Sequence, residues 1–215
     1  MRFSPRFTKY DDSAGKLDEN GGSMDKFALL LMDFQNAVCK GMAAAEVEKR
    51  GTLKKARAVL EAARKHKVPV IHVRVGFDPK HSVRTSKSKR FEQFDQSGAM
   101  RIGSPDTEFC DEVKPIDGEP VVLKGCVNPF IGTALTELLI GRRVGEVYLA
   151  GVVTNMVVES ALRHAADSGF ACNVLEDCCA AVDPSMHDFA IQKIFPVYGA
   201  IVSSNDFITR AASQS

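Results

Sequence analysis

The sequence lacks any apolar run approaching the roughly 18 residues that a membrane-spanning helix requires. Its amino-terminal residues also lack the continuous hydrophobic core of a signal peptide. Lys and Arg total 28 against 27 Asp and Glu, so the overall charge does not favour nucleic acid or an anionic membrane as a partner. These absences predict a cytoplasmic protein whose partners include neither nucleic acid nor a membrane.

Motifs for common cofactors and metals are missing as well. There is no Walker motif, no G-x-G-x-x-G after the first predicted strand, no C-x-x-C pair and no Cys/His spacing suited to zinc. The six cysteines are scattered through 215 residues, which favours free thiols in a chain long enough to bury a core without disulfides. We therefore expect no cofactor and no metal, with one domain at residues 25–215 after a polar, flexible extension at residues 1–24.

Short apolar runs alternate with patterns of helical spacing. Strands are predicted at residues 27–32, 68–75, 119–124, 146–150, 171–176 and 200–203. Helices are predicted at residues 44–66, 130–141, 154–168 and 185–195, with a short one near 106–113. Strands alternating with helices at this spacing are typical of a three-layer, Rossmann-like, doubly wound α/β fold. We expect a mainly parallel sheet of about six strands with helices on both faces.

Residues 146–169 contain a buried strand, a turn and an amphipathic helix in one run. Gly151 should allow a sharp change of backbone direction after the strand, and Thr154 or Asn155 is predicted to cap the helix. Gly169 is suited to the residue that follows the helix. The mouth of such a unit is where ligands bind in an open α/β sheet, because free N–H groups converge there.

Two charged residues stand at the carboxyl ends of predicted strands. Asp33 follows the first strand and Lys124 ends the third. A carboxylate at the floor of a cleft can act as a general acid or base, and a neighbouring lysine would keep it ionised or stabilise negative charge on a substrate. A buried ion pair without catalytic activity is the alternative interpretation.

Residues 76–118 are polar and unusually long for a connection inside one domain. Such a segment is usually a lid, a binding loop or an oligomer contact. It carries a basic cluster of Arg84, Lys87, Lys89 and Arg90, which we interpret as a solvated face.

Several segments together resemble the isochorismatase-like hydrolase superfamily. They are LLLMDFQNA around Asp33, VPVIHVR at 68–74, GSPDTE at 103–108, VVLKGCVNPFIGTALTELL, LAGVVTNMVVESALRHAADSGF and VLEDCCAAVDPSMHDFAI. The resemblance extends over residues 28–208. It implies a Rossmann-like fold, a small-molecule substrate, a homo-oligomer (dimer or tetramer), and a cis peptide near Val152 and Val153 that aims backbone N–H groups at the substrate as an oxyanion hole.

The chain departs from the family at the nucleophile. Amide-cleaving members carry a cysteine in G-V-x-T-x-x-C, whereas the matching residue here is Val157, which has no nucleophilic or acid–base group. Family members with a metal take its ligands from an Asp and several His after the second strand. Asp78 and His81 do not reproduce that spacing, which again predicts no metal.

The predicted site combines these features. Asp33 and Lys124 are the expected catalytic residues, with Val157 inert at the nucleophile position. The residues expected to contact substrate are Phe34, Gln35, Phe130, Val152, Val153, Thr154 and Asn155. Alternatives stay open for some of them, because the two phenylalanines also suit the core, and Gln35, Thr154 and Asn155 also suit caps or loop support.

Three functional hypotheses follow. In the first, Asp33 protonates an enol ether of a small, anionic substrate, water attacks the resulting cation, and Lys124 stabilises charge. In the second, the protein binds a small molecule or partner without turnover. In the third, an amidase uses a relocated thiol, for which Cys126 is the candidate.

Overall fold

The computed structural model describes residues 25–77 and 86–214. The predicted extension at residues 1–24 lies outside the described residues. Asp78, His81 and Arg84 also lie outside them.

In the described residues, six parallel strands form one sheet in the order β3-β2-β1-β4-β5-β6. They are β1 Lys26–Met32, β2 Val70–Val75, β3 Val121–Lys124, β4 Val144–Val152, β5 Ala171–Ala180 and β6 Ala200–Val202. The chain builds outward from β1 in one direction and from β4 in the other. This order confirms the predicted doubly wound α/β fold.

Seven helices surround the sheet in the described residues. They are α1 Ala44–Arg50, α2 Thr52–Lys65, α3 Lys89–Ser97, α4 Leu135–Ile140, α5 Glu159–Asp167, α6 Pro184–Phe189 and α7 Ser204–Ala212. Wider, π-type turns at residues 38–42, 154–158 and 190–194 lead into or continue several of them.

Both faces of the sheet are covered by apolar packing. Odd-numbered residues of β1 from Phe27 to Leu31 pack in a core with α2 and α7, and even-numbered residues from Ala28 to Met32 pack in a second core with α4 and α5. Because successive strand side chains point to opposite faces, the continuous apolar run of β1 is needed on both sides.

Several predicted helix boundaries are wrong. The helix expected at 44–66 is divided at Gly51, whose φ of 63° places it in the left-handed region. The helix expected at 130–141 is confined to Leu135–Ile140, and the one expected near 106–113 is two short 3₁₀ turns, Pro105–Thr107 and Asp111–Val113.

The last helix, α7, was not predicted. It begins with a capping box, in which Ser203 Oγ accepts from the Asp206 N–H and the Asp206 carboxylate accepts from the Ser203 N–H. These bonds satisfy donors that the helix start would leave unpaired.

The topology leaves an opening beyond the carboxyl ends of β1 and β4. The chain leaving β1 continues to α1 and α2 on one face, whereas the chain leaving β4 continues to α5 on the other. Since these connections diverge, side chains at the two strand ends border an open space.

Candidate functional site

Asp33 is placed by the turn that ends β1. Its N–H donates to the Val73 carbonyl of β2 at 2.9 Å, and its φ is 58°. Asp is one of the few residue types with a side chain that tolerate this left-handed conformation. This left-handed conformation ends β1 and leaves the carboxyl group of Asp33 at the edge of the sheet. Asp33 is 6% exposed.

Lys124 meets Asp33 from the end of β3. Its Nζ donates to Asp33 Oδ2 at 2.8 Å and to the Cys126 carbonyl at 3.0 Å. The two side chains are only 1% and 9% exposed. The pairing of an acid and a lysine predicted from the two strand ends is thus present as a buried ion pair.

The carboxyl group of Asp33 retains one free oxygen. Burial raises the pKa of Asp33, while the charge and hydrogen bond of Lys124 act in the opposite direction. Among the described residues Oδ1 has no hydrogen-bond partner although it is buried. A carboxyl group with a raised pKa, one unpaired oxygen and a neighbouring cation is suited to proton transfer.

The turn after β4 forms the opposite side of the opening. The peptide between Val152 and Val153 is cis, as the family resemblance implies. Gly151 is not a hinge, because it lies inside β4. A Cβ there would stand 2.7 Å from the Met32 carbonyl oxygen, so glycine is required for the close approach of β4 to β1.

These parts border one cleft that opens to solvent. Asp33 and Lys124 line it together with Val152, Val153 and Val157. The lining residues that the sequence did not indicate as site residues are Val38, Met42, Val75, Arg90, Phe91, Phe94, Met100, Val127 and Met156. Apart from the ion pair and Arg90, every lining side chain is apolar, which is typical of a small-molecule site.

Helix α3 supplies the wall that sequence reasoning missed. Phe91 and Phe94 lie one turn apart on it and pack with Phe77, with ring centroids 5.6–6.2 Å apart. Arg90 was assigned to a solvated face, yet it lines the cleft. The spacing of Arg90, Phe91 and Phe94 was the available signal, because residues three or four apart share one face of a helix.

Gln35 supports the cleft and does not line it, contrary to its predicted contact with substrate. Its side-chain nitrogen donates to the carbonyls of Val75 at 2.9 Å and Thr107 at 3.0 Å. Its side-chain oxygen accepts from the Val75 N–H at 2.9 Å. Both amide hydrogens of this fully buried residue are therefore used to join the ends of β1 and β2 to the loop at Thr107.

Thr154 and Asn155 also differ from prediction. Neither side chain caps the helix, since Val153 occupies the cap position and no side-chain cap bond forms. Thr154 Oγ1 lies 2.8 Å from His187 Nδ1, and Asn155 contacts the sulfur of Met186. Both side chains are directed toward α6 and do not line the cleft.

The two predicted phenylalanines belong to the core. Phe34 is 1% exposed, and the ring of Phe130 stacks on His164 with centroids 4.5 Å apart. Neither lines the cleft, so the core alternative holds for both.

Cys126 carries the thiol that the third hypothesis considers as a relocated nucleophile. It donates to the Asn128 carbonyl at 3.2 Å and does not line the cleft. Burial raises its pKa, which lowers the thiolate fraction. What Cys126 contributes to the site is its carbonyl oxygen, which accepts from Lys124.

The described residues form neither a metal-binding cluster nor a membrane-spanning helix. Within residues 25–77 and 86–214, no cluster of three or more His, Cys, Asp or Glu side chains is arranged to hold a metal ion. No helix in the same ranges is long and apolar enough to cross a bilayer.

Known proteins share both the sequence pattern and the fold. Maleamate amidohydrolase from Pseudomonas putida is 27% identical over 201 residues, covering 91% of this chain and 92% of the relative. N-carbamoylsarcosine amidase from Thermoplasma acidophilum is 26% identical, with a TM-score of 0.67 over 84% of this chain and 97% of that one. A cysteine hydrolase from Pseudomonas syringae pv. phaseolicola shares the fold, with 22% identity and a TM-score of 0.80 over 88% and 94% of the two chains.

The family model described as the isochorismatase domain matches residues 27–206. This range contains β2 to β6 in full, all of β1 except Lys26, and every residue that lines the cleft. The chain therefore belongs to the isochorismatase family of hydrolases.

Proposed function

We propose that the protein hydrolyses an enol ether of a small, carboxylate-bearing compound, with Asp33 as the acid. The observation that carries this proposal is that Val157 lines the same cleft as the Asp33–Lys124 pair. The cleft thus combines a proton-transfer group with an inert side chain at the position of the family nucleophile. Enol-ether cleavage needs the first and has no use for a thiol.

The proposed reaction begins with proton transfer from the Asp33 carboxyl group to the terminal carbon of the enol-ether double bond. This transfer leaves an oxocarbenium ion and a carboxylate, and Lys124 stabilises the carboxylate through its 2.8 Å hydrogen bond. Water adds to the cationic carbon and loses a proton to the Asp33 carboxylate, which regenerates the acid. The resulting hemiketal then breaks its C–O bond, which releases an alcohol and a ketone.

The environment of Asp33 supports an acid role. Burial raises its pKa, so a larger fraction carries the proton that the first step requires. The unpartnered Oδ1 is the oxygen through which the proton would pass, since Oδ2 is held by Lys124.

The named relatives include amide-cleaving enzymes, but Val157 favours a different bond in this chain. Valine cannot form a covalent acyl intermediate, and the Cys126 thiol is directed away at the Asn128 carbonyl. Protonation of an enol ether on carbon gives an oxocarbenium ion that water attacks directly, whereas an amide carbonyl stays stabilised by resonance and benefits from a strong nucleophile. We therefore place enol ethers ahead of amides as the substrate class.

The test is pyruvate release from isochorismate by the purified protein, coupled to lactate dehydrogenase. Asp33→Asn should lower the rate about a hundredfold or more, because it removes the acid while keeping a residue tolerant of positive φ. Asp111→Asn is the matched control, since its side chain is 80% exposed and outside the cleft. Equal rates for wild type and Asp33→Asn would reject Asp33 as the acid.

A second candidate is a ligand-binding protein without turnover, favoured by Val157 itself. It predicts that small acids raise the melting temperature while no enol ether is cleaved. Folded wild-type protein that binds isochorismate but releases no pyruvate would establish this candidate over the hydrolase.

A further inference from the structure

We infer that Arg90 binds a carboxylate of the substrate and thereby makes the cleft select carboxylic acids with an unsaturated or aromatic body. This inference rests on the proposed function, because it assigns the substrate class of the same cleft. Its basis is the charge balance of the lining and the position of one helix, and both are visible without reference to the chemical step.

The first observation is that the charges of the cleft do not cancel. Asp33 and Lys124 neutralise each other in a buried ion pair. Arg90, the remaining charged lining residue, forms no ion pair with any carboxylate in the described part of the chain. Among the described residues, a ligand entering the cleft therefore meets at least one uncompensated positive charge, because protonation of Asp33 would leave Lys124 unbalanced as well. This favours an anion.

The second observation is that most of the donors of Arg90 are free for a ligand. Within the described ranges, its hydrogen bonding is limited to one contact, from Nη1 to the sulfur of Met42 at 3.5 Å. A thioether is a weak acceptor, and a guanidinium has five N–H donors in a fixed plane. That plane matches the two oxygens of a carboxylate, which an arginine can bind with two parallel hydrogen bonds.

The third observation is that aromatic and sulfur side chains hold Arg90 at the cleft. Its guanidinium carbon lies 5.9 Å from the ring centroid of Phe94, which also lines the cleft. Arg90 is exposed, whereas Phe91 beside it is 3% exposed and anchored in the core. The charge is thus at the solvent side of the lining, while Asp33 and Lys124 are withdrawn from solvent.

The body of the ligand must fit the surface between these charges. That surface consists of Phe91, Phe94, Met42, Met100 and Met156 together with valines. Aromatic rings and thioethers favour flat π-systems through stacking and sulfur contacts. Against this apolar surface, the N–H and C=O groups of a short, highly polar amide would be left without hydrogen-bond partners.

The probes are benzoate and benzamide, which have the same shape and differ in charge. Binding of each to the purified full chain is measured by calorimetry and by thermal shift, so turnover is not required. Benzoate should bind the wild type at least tenfold more tightly than benzamide. Arg90→Gln should remove that difference, and Arg90→Lys should restore part of it because the charge returns without the planar fork.

The matched control is Lys89→Gln, which removes a neighbouring positive charge from the same helix at a residue that does not line the cleft. It should keep the preference for benzoate within about twofold of the wild type. Each variant's melting temperature without ligand establishes that it is folded.

The inference is overturned if Arg90→Gln binds benzoate as the wild type does, or if wild-type protein prefers benzamide or binds no benzoate up to about 10 mM. It can fail separately from the proposed function. Arg90-dependent binding of benzoate without cleavage of isochorismate would sustain the carboxylate site and reject the hydrolase. Cleavage of isochorismate with kcat and KM unchanged in Arg90→Gln would do the reverse.

Discussion

Lys124 Nζ reaches Asp33 Oδ2 at 2.8 Å across β2, the strand that separates β3 from β1 in the sheet. Neither residue is close to the other in sequence, so the ion pair exists only when three neighbouring strands are in register. Val75 of β2 pairs with Lys124, and Val73 accepts the Asp33 N–H. The charge balance of the cleft is therefore a property of the assembled sheet.

Breaking this ion pair from the lysine side should destabilise the protein in a pH-dependent way. Lys124→Met leaves the Asp33 carboxylate buried without a counterion, which costs about 3 kcal/mol of unfolding free energy near neutral pH. This loss of unfolding free energy relative to the wild type should shrink as the pH falls. The reason is that the unpaired Asp33 takes up a proton more readily in the folded variant than in the unfolded chain. Urea unfolding at about pH 7.5 and about pH 5.5 measures this change.

Lys114→Met is the control for that experiment. Its ion pair with Asp111 is a surface pair, with side chains 58% and 80% exposed, and should matter little at either pH. A Lys124→Met deficit that is equally large at both pH values would contradict the buried-carboxylate explanation.

Restoring a thiol at position 157 should create a new reactive group in the cleft. Val157→Cys changes volume little at a residue that is 1% exposed and lines the cleft. In a Cys126→Ala background, mass spectrometry should find iodoacetamide modification at position 157, and hydrolysis of a small amide should become detectable. Adding Asp33→Asn should abolish that hydrolysis.

Val158→Cys provides the comparison, because Val158 is fully buried in the core beside Gly151 and does not line the cleft. It should stay unmodified under the same conditions. Equal modification of the two variants would show that labelling follows local opening and not the cleft.

Gly151 should tolerate no side chain. In Gly151→Ala the new methyl group would stand 2.7 Å from the Met32 carbonyl oxygen and 3.2 Å from Val158, which forces β4 away from β1. We expect a loss of about 1–3 kcal/mol in unfolding free energy, measured by chemical denaturation. Gly41→Ala, where the nearest atom lies 3.9 Å away, should cost little, and a similar loss in both variants would refute the close-approach argument.

The carboxylate of Glu119 should make the protein less stable in acid. Burial alone would raise its pKa, but hydrogen bonds from Arg64, the Ile116 N–H and His72 outweigh burial and lower it from 4.5 to about 2. Because the folded-state pKa is depressed, its stabilising contribution is complete above about pH 4.5 and is lost as the pH falls toward 2. The contribution is on the order of 2–3 kcal/mol.

Unfolding free energies measured from about pH 6 to about pH 3 provide the test. Glu119→Gln should reduce the slope below about pH 4.5, since the carboxyl group that titrates is gone. Glu61→Gln is the matched control, because its side chain is 59% exposed in a surface pair with Arg57, and it should follow the wild type. An unchanged slope in Glu119→Gln would contradict the prediction.

The sequence was sufficient to predict the sheet and the ion pair. Apolar runs mark the strands, and Asp33 and Lys124 follow directly from where two of those runs end. The strand ends of a parallel sheet meet at one edge, so the two charges had to be neighbours. The expectation that Val157 occupies the nucleophile position came from the family resemblance, because a motif fixes that position relative to Gly151.

The walls of the cleft and the partners of polar side chains were not predictable in the same way. Met42 and Met156 line the cleft because of tertiary packing, which no local pattern specifies. Gln35 and Thr154 each had a plausible hydrogen-bond partner nearby in sequence. In the folded chain they bond instead to groups distant in sequence, the backbone of Val75 and the ring of His187. The α7 capping box, in contrast, was visible as Ser203 and Asp206 at the right spacing and was overlooked.

Lys124, the cation of the ion pair, belongs to β3, an edge strand of the sheet. β3 has four residues and, in the described part of the chain, pairs with β2 alone, so no other described strand restrains its outer side through backbone hydrogen bonds. Fraying of this strand would withdraw Lys124 while Asp33, held between β2 and β4, stays in place. The pKa of Asp33 would then change each time β3 opens locally. The amide exchange rates of residues 121–124 would report how often Asp33 loses its counterion.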